Sequence, residues 1–269
     1  MSELDKTSAA ATSAEKVSAC IITLNEEDRL GPCLKSLSWC DEIVVVDSHS
    51  SDGTRELATS FGARVIERDW PGHVDQKEFA IREARHDWVL CLDADEQLSD
   101  ELKAEILALR DAGFPNAPGW SMPRLATYLG QPMHHGGWYP DRKIRLFDRR
   151  RGHWGGSNPH DHVQLQGSAE ALAGDLLHDP YRNFSEHLRI LDSYSSIGAQ
   201  ELAKKNVRAK VSDIIFRPAI RFTKFYILKS GWREGWRGLL LAYLSAYGCR
   251  LKYAKLLIAQ RIENSDEAR

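Results

Sequence analysis

The chain has 269 residues, of which 42% are hydrophobic and 28% are charged, and 36 Lys and Arg stand against 38 Asp and Glu for a formal charge of −2. This composition is typical of a globular protein with one large domain, or with one domain and an appendage, and it excludes a fully disordered chain and a collagen-like repeat. The five cysteines form no C-x-x-C pair and no even disulfide framework, which indicates reduced thiols in a cytosolic compartment.

The near-zero net charge conceals an asymmetry along the chain. Residues 204–261 contain 14 Lys and Arg but only Asp213 and Glu234 as acids, so this segment carries +12 and the rest of the chain −14. Such a split predicts an anionic partner for the C-terminal part.

The first half of the chain alternates predicted strands with predicted helices. Residues 1–16 are small and polar and predict a loose tail without the apolar stretch of a signal peptide. The pattern that follows predicts an α/β domain with a mostly parallel sheet covered on both faces. The predicted strands are Ser18–Leu24, Glu42–Asp47, Arg64–Glu67 and Trp88–Asp93, and the predicted helices are Asp28–Leu37, Thr54–Phe61, Gln76–Arg85 and Asp100–Arg110, the last with Ser99 as N-cap.

The composition changes twice after this nucleotide-binding half (17–111). The second half of the predicted catalytic domain (112–180) is rich in Gly, Pro, Trp and His, which indicates long loops with short strands near Ile144–Phe147 and His162–Leu165. Residues 181–269 are predicted to be helical, basic and aromatic. The apolar, uncharged run from Gly238 to Cys249 has 12 residues and is too short to cross a bilayer, which takes about 20.

Acidic side chains follow the predicted parallel strands. Asp93 and Asp95 come at the end of a buried strand, and Asp47 ends an earlier one. In such sheets ligands bind at the carboxyl ends of the strands. Two carboxylates this close repel each other unless a cation or hydrogen-bond donors intervene, and hard oxygen ligands suit Mg²⁺ or Mn²⁺ bound together with phosphates. A turn rich in helix-capping acids is the alternative interpretation.

The motifs ITLNE, VVVDSHSSDGT and DWVLCLDADE, in this order and spacing, resemble glycosyltransferase family 2, which has the GT-A fold and uses nucleotide sugars. The later run GGWYPDRKIRLFDRR…HWGGSNPHDHV is similar to the branch with lipopolysaccharide-core β-1,4-glucosyltransferases. The resemblance covers about Val17 to Lys255.

The resemblance implies roles for named residues. It places the nucleotide and sugar against the side chains or backbone of Thr23, Asn25, Glu26, Asp47, Asp52, Lys77, Asp93 and Ala94, with a solvated surface Lys as the alternative for Lys77. Arg145 is a candidate for contact with a phosphate or, alternatively, for a pair with an acid. The resemblance makes Asp95 the principal ligand of Mg²⁺ or Mn²⁺, with His178 closing the metal site. Relatives often have Asn after the position of Lys77, whereas this chain has Glu78.

The resemblance also implies one general base near the acceptor. Asp161 in NPHDHV stands where the family has an acid after His, more often Glu, and Asp141 in WYPD is the alternative. His160 and His162 flank Asp161. The aromatic residues Trp138, Tyr139 and Trp154 are candidates for a sugar-stacking wall or for ordinary core residues.

These expectations combine into an inverting, metal-dependent glycosyltransferase. Its donor would be a nucleotide sugar such as UDP-glucose or another UDP-hexose, and its acceptor a lipid-linked or lipopolysaccharide-core glycan. The basic, aromatic C-terminal region would dock on an anionic membrane, which places the protein peripherally on the inner face of the cytoplasmic membrane. No nucleic-acid-binding motif is present, so no nucleic-acid partner is predicted. A nucleotidyltransferase and an inactive nucleotide-sugar-binding module remain as alternatives, and the sequence does not specify an oligomeric state.

Overall fold

The computed structural model describes residues 14–115, 117–157 and 160–267, so most of the predicted N-terminal tail lies outside the described residues. The strands are β1 Val17–Thr23, β2 Glu42–Asp47, β3 Arg64–Glu67, β4 Trp88–Asp93, β5 Glu96–Leu98, β6 Gly119–Tyr128, β7 Gln131–Pro132, β8 Asp141–Asp148, β9 Gly152–Ser157, β10 His160–Leu165, β11 Glu170–Ala171 and β12 Leu176–His178. The helices are α1 Leu30–Ser36, α2 Thr54–Ser60, α3 His73–Glu83, α4 Asp100–Asp111, α5 Phe184–Lys204, α6 Val211–Thr223 and α7 Gly235–Glu267. A π-helical turn (Lys224–Leu228) and a 3₁₀ turn (Gly231–Glu234) connect α6 to α7.

The large sheet is mixed, with strand order β3-β2-β1-β4-β8-β6-β12-β5, and β7 and β11 pair with β6 outside this path. Strands β3, β2, β1 and β4 are parallel, whereas β8 runs antiparallel to β4. Strands β9 and β10 form a separate antiparallel pair. The predicted α/β fold with a mostly parallel nucleotide-binding half is confirmed.

Helices cover both faces of the parallel strands because successive side chains of a strand point to opposite faces. Ala19 and Ile21 of β1 belong to the apolar cluster that contains Leu34 of α1 and Ile106 of α4. Cys20, between them, belongs to the cluster on the other face. That second cluster also contains Val44, Val46, Val89, Cys91 and the α3 residues Ala80 and Ile81.

The chain divides into two compact units. The first contains Met1–Pro123 and Arg142–Leu177, and the second contains Arg124–Asp141 and His178–Arg269. The sequence predicts a boundary between residues 180 and 181. In this division the segment 124–141, which precedes that boundary, groups with the C-terminal helices. In the part of the chain that the structure describes, no helix is both long and apolar enough to cross a membrane.

Candidate active site

Three parallel strands end side by side and bring their polar residues to one edge of the sheet. The register pairs Thr23 of β1 with Asp47 of β2, and Ile22 of β1 with Asp93 of β4. The loops after β1, β2 and β4 therefore start at the same edge, where parallel α/β sheets bind ligands. This register follows from the buried, β-branched strand sequences, and it assembles the first part of the site.

Asp47 is buried at this edge and takes part in hydrogen bonds inside the protein. It has no exposed surface, and its Oδ2 accepts a hydrogen bond of 2.8 Å from Thr23 Oγ1. Its Oδ1 accepts one of 2.7 Å from the backbone N–H of Ser50. These contacts fix the loop after β2 against the end of β1. Direct contact between Asp47 and a nucleotide would require this arrangement to open.

The loop after β1 is held by its own side chains. Asn25 has a positive φ of 55°, and its Oδ1 accepts a 2.8 Å hydrogen bond from the backbone N–H of Ser51. Both carboxylate oxygens of Glu26 accept hydrogen bonds from the guanidinium of Arg29, at 2.8 and 2.9 Å. Asn25 remains exposed while Glu26 is half-buried, so this loop presents polar groups at the sheet edge.

Asp52 holds the start of α2. Its Oδ1 accepts a hydrogen bond of 3.1 Å from the backbone N–H of Thr54, and its Oδ2 accepts one of 3.3 Å from the backbone N–H of Glu27. Burial opposes ionisation of Asp52, but the hydrogen bonds from Thr54 and Glu27 outweigh it and lower the pKa of this carboxyl. The predicted nucleotide-loop residue thus links the loops after β1 and β2.

Lys77 of α3 joins carboxylates from two distant parts of the chain. Its Nζ lies 2.7 Å from Asp93 Oδ1 and 2.8 Å from Asp161 Oδ2. The side chain of Lys77 is 7% exposed. Burial alone would lower the pKa of Lys77, but the carboxylates of Asp93 and Asp161 outweigh burial and raise it, so the ammonium group stays charged. We call this group of residues the Lys77 network.

Arg145 of β8 extends the Lys77 network. Its Nη2 lies 2.7 Å from Asp93 Oδ2 and 2.6 Å from Oε1 of the buried Glu96. Burial opposes the charge on Arg145, but Glu96 and Asp93 overcome this effect and raise its pKa. Each oxygen of Asp93 is therefore matched by a different cation. With Asp161 included, the network contains three carboxylates and two cations, which leaves one negative charge.

Asp95 lies at the turn after β4, close to Arg29. Its Oδ2 is 3.7 Å from Arg29 Nη1, and 20% of its side chain is exposed. Ala94, between the two acids, is 5% exposed and packs in the core. The buried Ala94 orients the triplet, so that Asp93 faces the Lys77 network and Asp95 faces Arg29.

The comparison with known families agrees with this geometry. The sequence model described as Glycosyl transferase family 2 matches residues 18–161, which include the strand ends, Lys77, Arg145 and Asp161. The chain belongs to glycosyltransferase family 2.

Whole-length relatives support the family membership of this glycosyltransferase. It is 33% identical over 255 residues to the lipopolysaccharide core biosynthesis glycosyltransferase LpsC of Rhizobium meliloti, an alignment that covers 89% of this chain and 91% of that protein. It is also 29% identical over 253 residues to an uncharacterized glycosyltransferase of Rickettsia typhi, covering 90% and 87% of the two chains.

Solved structures align over a smaller part of the glycosyltransferase. One is glucosyl-3-phosphoglycerate synthase from Mycobacterium tuberculosis in complex with Mn²⁺, UDP and glucosyl-3-phosphoglycerate. It has a TM-score of 0.34 and 22% identity, and the alignment covers 42% of this chain and 44% of that one. The fold of this glycosyltransferase, a mixed α/β sheet followed by a C-terminal helical region, agrees with the GT-A fold predicted from the family resemblance.

The carboxylates of the glycosyltransferase suit a divalent cation that arrives with phosphates. Across the described ranges, no group of three or more His, Cys, Asp or Glu side chains is arranged to hold a metal ion. Mg²⁺ does not need three protein ligands, because it is commonly bound through one or two carboxylates together with substrate phosphates and water. The half-buried carboxylate of Asp95 has the oxygen chemistry that such a cation needs.

Two of the predicted residues belong to the second unit of the glycosyltransferase. His178, the predicted second metal ligand, ends strand β12 and is half-buried. Asp141, the alternative base, accepts hydrogen bonds of 3.1 and 2.6 Å at its Oδ2 from Arg124 of the same unit. The roles of His178 and Asp141 therefore stay predictions, while Asp161 shares the first unit with the Lys77 network.

Several contacts of the Lys77 network were not predicted from the sequence. Trp154 is only 4% exposed, which favours the core alternative for this side chain over the sugar-stacking wall. Its ring instead faces Lys77 Nζ at 4.6 Å and the Arg145 guanidinium at 5.6 Å. Glu78 holds this segment in place, because its Oε2 accepts a 2.9 Å hydrogen bond from the backbone N–H of Trp154.

His73 is a further neighbour of the network, in the first turn of α3. Burial and the charge of Lys77 lower its pKa, against the opposing effect of Asp161 and Asp93. Its position four residues before Lys77, on the same helical face, is the sequence signal that could have identified it. His162 lies on β10 opposite Gly155, whereas the side chain of His160 lies outside the described residues.

Proposed function

We propose that this glycosyltransferase transfers a hexose from a nucleotide sugar to a lipid-linked or lipopolysaccharide-core glycan, with inversion at the anomeric carbon. The observation that carries the proposal is the bridge formed by Lys77. One buried ammonium group contacts both Asp93, at the strand edge where the donor would bind, and Asp161, the candidate base 68 positions later. The groups that donor and acceptor chemistry require thus lie in one site.

The donor side of the site would bind the diphosphate of the nucleotide sugar. Asp95 would supply a carboxylate for Mg²⁺ or Mn²⁺. The cation would neutralise charge that develops on the departing diphosphate. Arg145 and Glu96 hold Asp93 in position through the 2.7 and 2.6 Å contacts, so that Asp93 faces the sugar and ribose in a fixed orientation.

The acceptor side requires a base, and we assign this role to Asp161. Its carboxylate takes the proton of the acceptor hydroxyl while the hydroxyl oxygen forms a bond to the anomeric carbon. The bond from that carbon to the diphosphate oxygen breaks on the opposite face, and nucleoside diphosphate leaves with the electron pair. A single displacement inverts the centre and converts an α-linked donor into a β-linked product. A single carboxylate near the acceptor is sufficient, unlike in glycosidases.

The acceptor class is supported by a relative and by the C-terminal surface. The relative from Rhizobium meliloti carries the name of a lipopolysaccharide core biosynthesis enzyme. In this chain α6, the turns after it and the first turn of α7 expose large apolar side chains among basic residues. These are Phe216 at 63%, Ile220 at 66%, Leu228 at 75%, Trp232 at 56% and Trp236 at 59% exposure. Such a surface suits an anionic membrane, where lipid-linked acceptors are found.

The experiment that tests the donor site compares wild-type protein with Asp95→Asn. With UDP-glucose and Mn²⁺, we expect thermal stabilisation of about 2.7 kcal/mol at 100 times the dissociation constant. Asp95→Asn should lose the dependence of this stabilisation on Mn²⁺ and slow transfer at least 100-fold. Asp111→Asn, at an exposed position of α4, is the matched control and should behave as wild type.

Two results would contradict the proposal. Full activity of Asp95→Asn in the presence of Mn²⁺ would remove the metal assignment. Release of pyrophosphate in place of nucleoside diphosphate would identify a nucleotidyltransferase.

A further inference from the structure

The second unit contains a cavity of about 370 Å³ among its C-terminal helices, which we call the helical cavity. It lies among α5, α6 and α7, the π-helical turn and the segment that contains Trp138. Its lining includes the aromatic residues Trp138, Tyr181 and Phe225, the cations Arg221 and Lys252, and Cys249. The volume is within the range of about 300–1,000 Å³ typical of small-molecule sites.

The walls of the helical cavity are mainly aliphatic and aromatic. Leu241, Leu244 and Phe225 are each less than 10% exposed and form part of its buried surface. On another side the ring of Tyr181 stacks on His187 with a centroid distance of 4.1 Å and an interplanar angle of 19°. His187 Nδ1 is itself 3.0 Å from the hydroxyl of Tyr128. The aromatic wall is thus fixed by stacking and hydrogen bonding.

All the charged residues that line the helical cavity, apart from the titratable His187, are cations. Arg221 and Lys252 are both present, and the lining contains neither Asp nor Glu. Arg221 Nε donates a 2.8 Å hydrogen bond to Ser245 Oγ, which orients the guanidinium. The aliphatic stem of Lys252 lies beside Gly198 of α5, where a Cβ would be 2.9 Å from the Lys252 side chain. Two basic groups are therefore held near an apolar space.

The apolar walls and the two cations of the helical cavity together indicate the chemistry of its ligand. A free sugar requires many hydrogen-bond partners, which the aliphatic walls do not supply. A hydrocarbon chain binds more tightly with each CH₂ group that it buries against such walls, and a phosphate forms charge-assisted hydrogen bonds with the two cations. Residues next to the lining continue the apolar surface outward, because Ile220 is 66% exposed and Tyr247 is 41% exposed. An anionic lipid matches the aliphatic walls, the two cations and the apolar surface that continues outward.

We propose that the helical cavity binds one hydrocarbon chain of an anionic lipid, with the headgroup phosphate held by Arg221 and Lys252. The site is distinct from the membrane-docking surface of α6, because it takes a single lipid into the protein. It goes beyond the proposed transfer reaction and involves none of the carboxylates of the Lys77 network. Transfer activity and lipid binding can therefore fail independently.

The first test titrates the full-length protein with dodecyl phosphate, dodecyl maltoside and inorganic phosphate. The two amphiphiles are used below their critical micelle concentrations. Dodecyl phosphate should bind at least tenfold more tightly than dodecyl maltoside, which lacks the charge, and than inorganic phosphate, which lacks the chain. Equal binding of dodecyl maltoside would overturn the headgroup assignment. Binding of inorganic phosphate as tight as that of dodecyl phosphate would overturn the chain assignment.

Variants then locate the site. The double variant Arg221→Gln/Lys252→Gln should weaken dodecyl phosphate binding at least tenfold. Arg250→Gln, at an exposed position of α7 outside the lining, is the matched control and should not change it. Gly248→Leu should also weaken binding tenfold, since a Cβ at Gly248 already lies 3.2 Å from Leu191. Unchanged binding in the double variant or in Gly248→Leu would contradict the proposal.

A measurement on the wild-type protein covers the case in which Gly248→Leu does not fold. Cys249 lines the helical cavity and Cys40 does not, although both are half-buried free thiols. Saturating dodecyl phosphate should slow maleimide alkylation of Cys249 about tenfold and leave Cys40 unaffected, as read by mass spectrometry. Equal rates for Cys249 with and without the lipid would overturn the site.

Discussion

Lys77 is the residue on which the geometry of the candidate site depends most. Its ammonium group is nearly buried and holds Asp93 and Asp161 at 2.7 and 2.8 Å. Removal of one partner from a buried ion pair typically costs about 3–5 kcal/mol, because a charge is left without compensation. The pairing therefore keeps the two carboxyl groups close together at the edge of the sheet.

The identity of the base can be tested by a pair of isosteric substitutions. Asp161→Asn should lower the rate of sugar transfer by about 10²–10⁴, which is the usual contribution of general base catalysis, while donor binding changes little. Asp141→Asn should change the rate less than fivefold, because we assign Asp141 to a pair with Arg124. Steady-state kinetics and thermal shift with UDP-glucose measure the two effects. A larger loss of transfer rate in Asp141→Asn than in Asp161→Asn would assign the role of base to Asp141.

The sequence identified part of the site and missed the rest for a physical reason. Asp93, Asp95 and Asp161 follow recognisable strands and motifs, so their positions could be predicted. The contacts of Glu96 and Trp154 could not be predicted, because they depend on burial against Arg145 and Lys77, which only the tertiary fold creates. Glu96 is far from Arg145 in the sequence and Trp154 is far from Lys77, so no local spacing reveals these contacts.

Elements with strong local signals were predicted closely. The bounds of β2, β3 and β4 agree with those expected from their β-branched runs, and Ser99 caps α4 through a 3.1 Å hydrogen bond to its Oγ from Leu102 N–H. Strand β6 was missed because Gly119 and Pro123 make its sequence typical of a loop or an edge strand. It nevertheless lies between β8 and β12 inside the sheet.

The loop before β12 packs tightly on the first turn of α4, and this contact can be tested with two glycines. A Cβ at Gly174 would lie 2.4 Å from Leu102 N, a backbone atom that cannot move freely. Gly174→Ala should therefore destabilise the protein by about 1–3 kcal/mol, the usual range for overpacked cores. Gly31→Ala, with open space in helix α1, should be neutral or stabilise by up to about 1 kcal/mol. Urea unfolding measures both, and equal midpoints would contradict the packing argument.

The free energy of unfolding of the second unit should depend on pH, because helix α5 contains the buried His187. Burial lowers the pKa of His187 to about 4, from an ordinary value near 6.5. Between these values the unfolded chain binds a proton that the folded chain does not, so the free energy of unfolding should fall as the pH drops from about 6.5 towards 4. The full loss is at most about 3 kcal/mol.

The replacement His187→Gln separates this effect from other acid-sensitive groups. Urea unfolding of wild type at pH 7.5 and pH 5.0 should show lower stability at pH 5.0. The difference between the two pH values should be smaller in His187→Gln, because Gln does not titrate. An equal difference in both proteins would assign the pH dependence to other groups.

At the scale of the whole molecule, charge is distributed along the chain in a way that suits a membrane surface. Residues 204–261 carry a formal charge of +12, whereas the remaining chain carries −14. Each Lys or Arg near an anionic bilayer contributes about 1 kcal/mol, and this attraction is screened by salt. Apolar side chains such as Leu228 and Trp232 add a contribution that salt does not screen.

Vesicle sedimentation can separate these two contributions. Wild-type protein should bind vesicles that contain phosphatidylglycerol at least tenfold more tightly than vesicles of phosphatidylcholine alone, and 0.5 M NaCl should reduce the difference. Leu228→Ser/Trp232→Ser should lower binding about tenfold at every salt concentration. Phe61→Ser, at an exposed apolar position of the first unit, is the control. Equal binding to both lipid compositions would contradict the proposed membrane docking.

The buried Glu234 determines how this protein could be recombined with its relatives. Its Oε1 accepts hydrogen bonds of 3.0 and 2.8 Å from the backbone N–H groups of His134 and His135, and its Oε2 accepts one of 3.0 Å from Gln131 Nε2. A chimaera that exchanges only residues 181–269 would separate Glu234 from these donors. A graft intended to alter acceptor preference should therefore transfer residues 124–141 and 178–269 together, as one two-part insert.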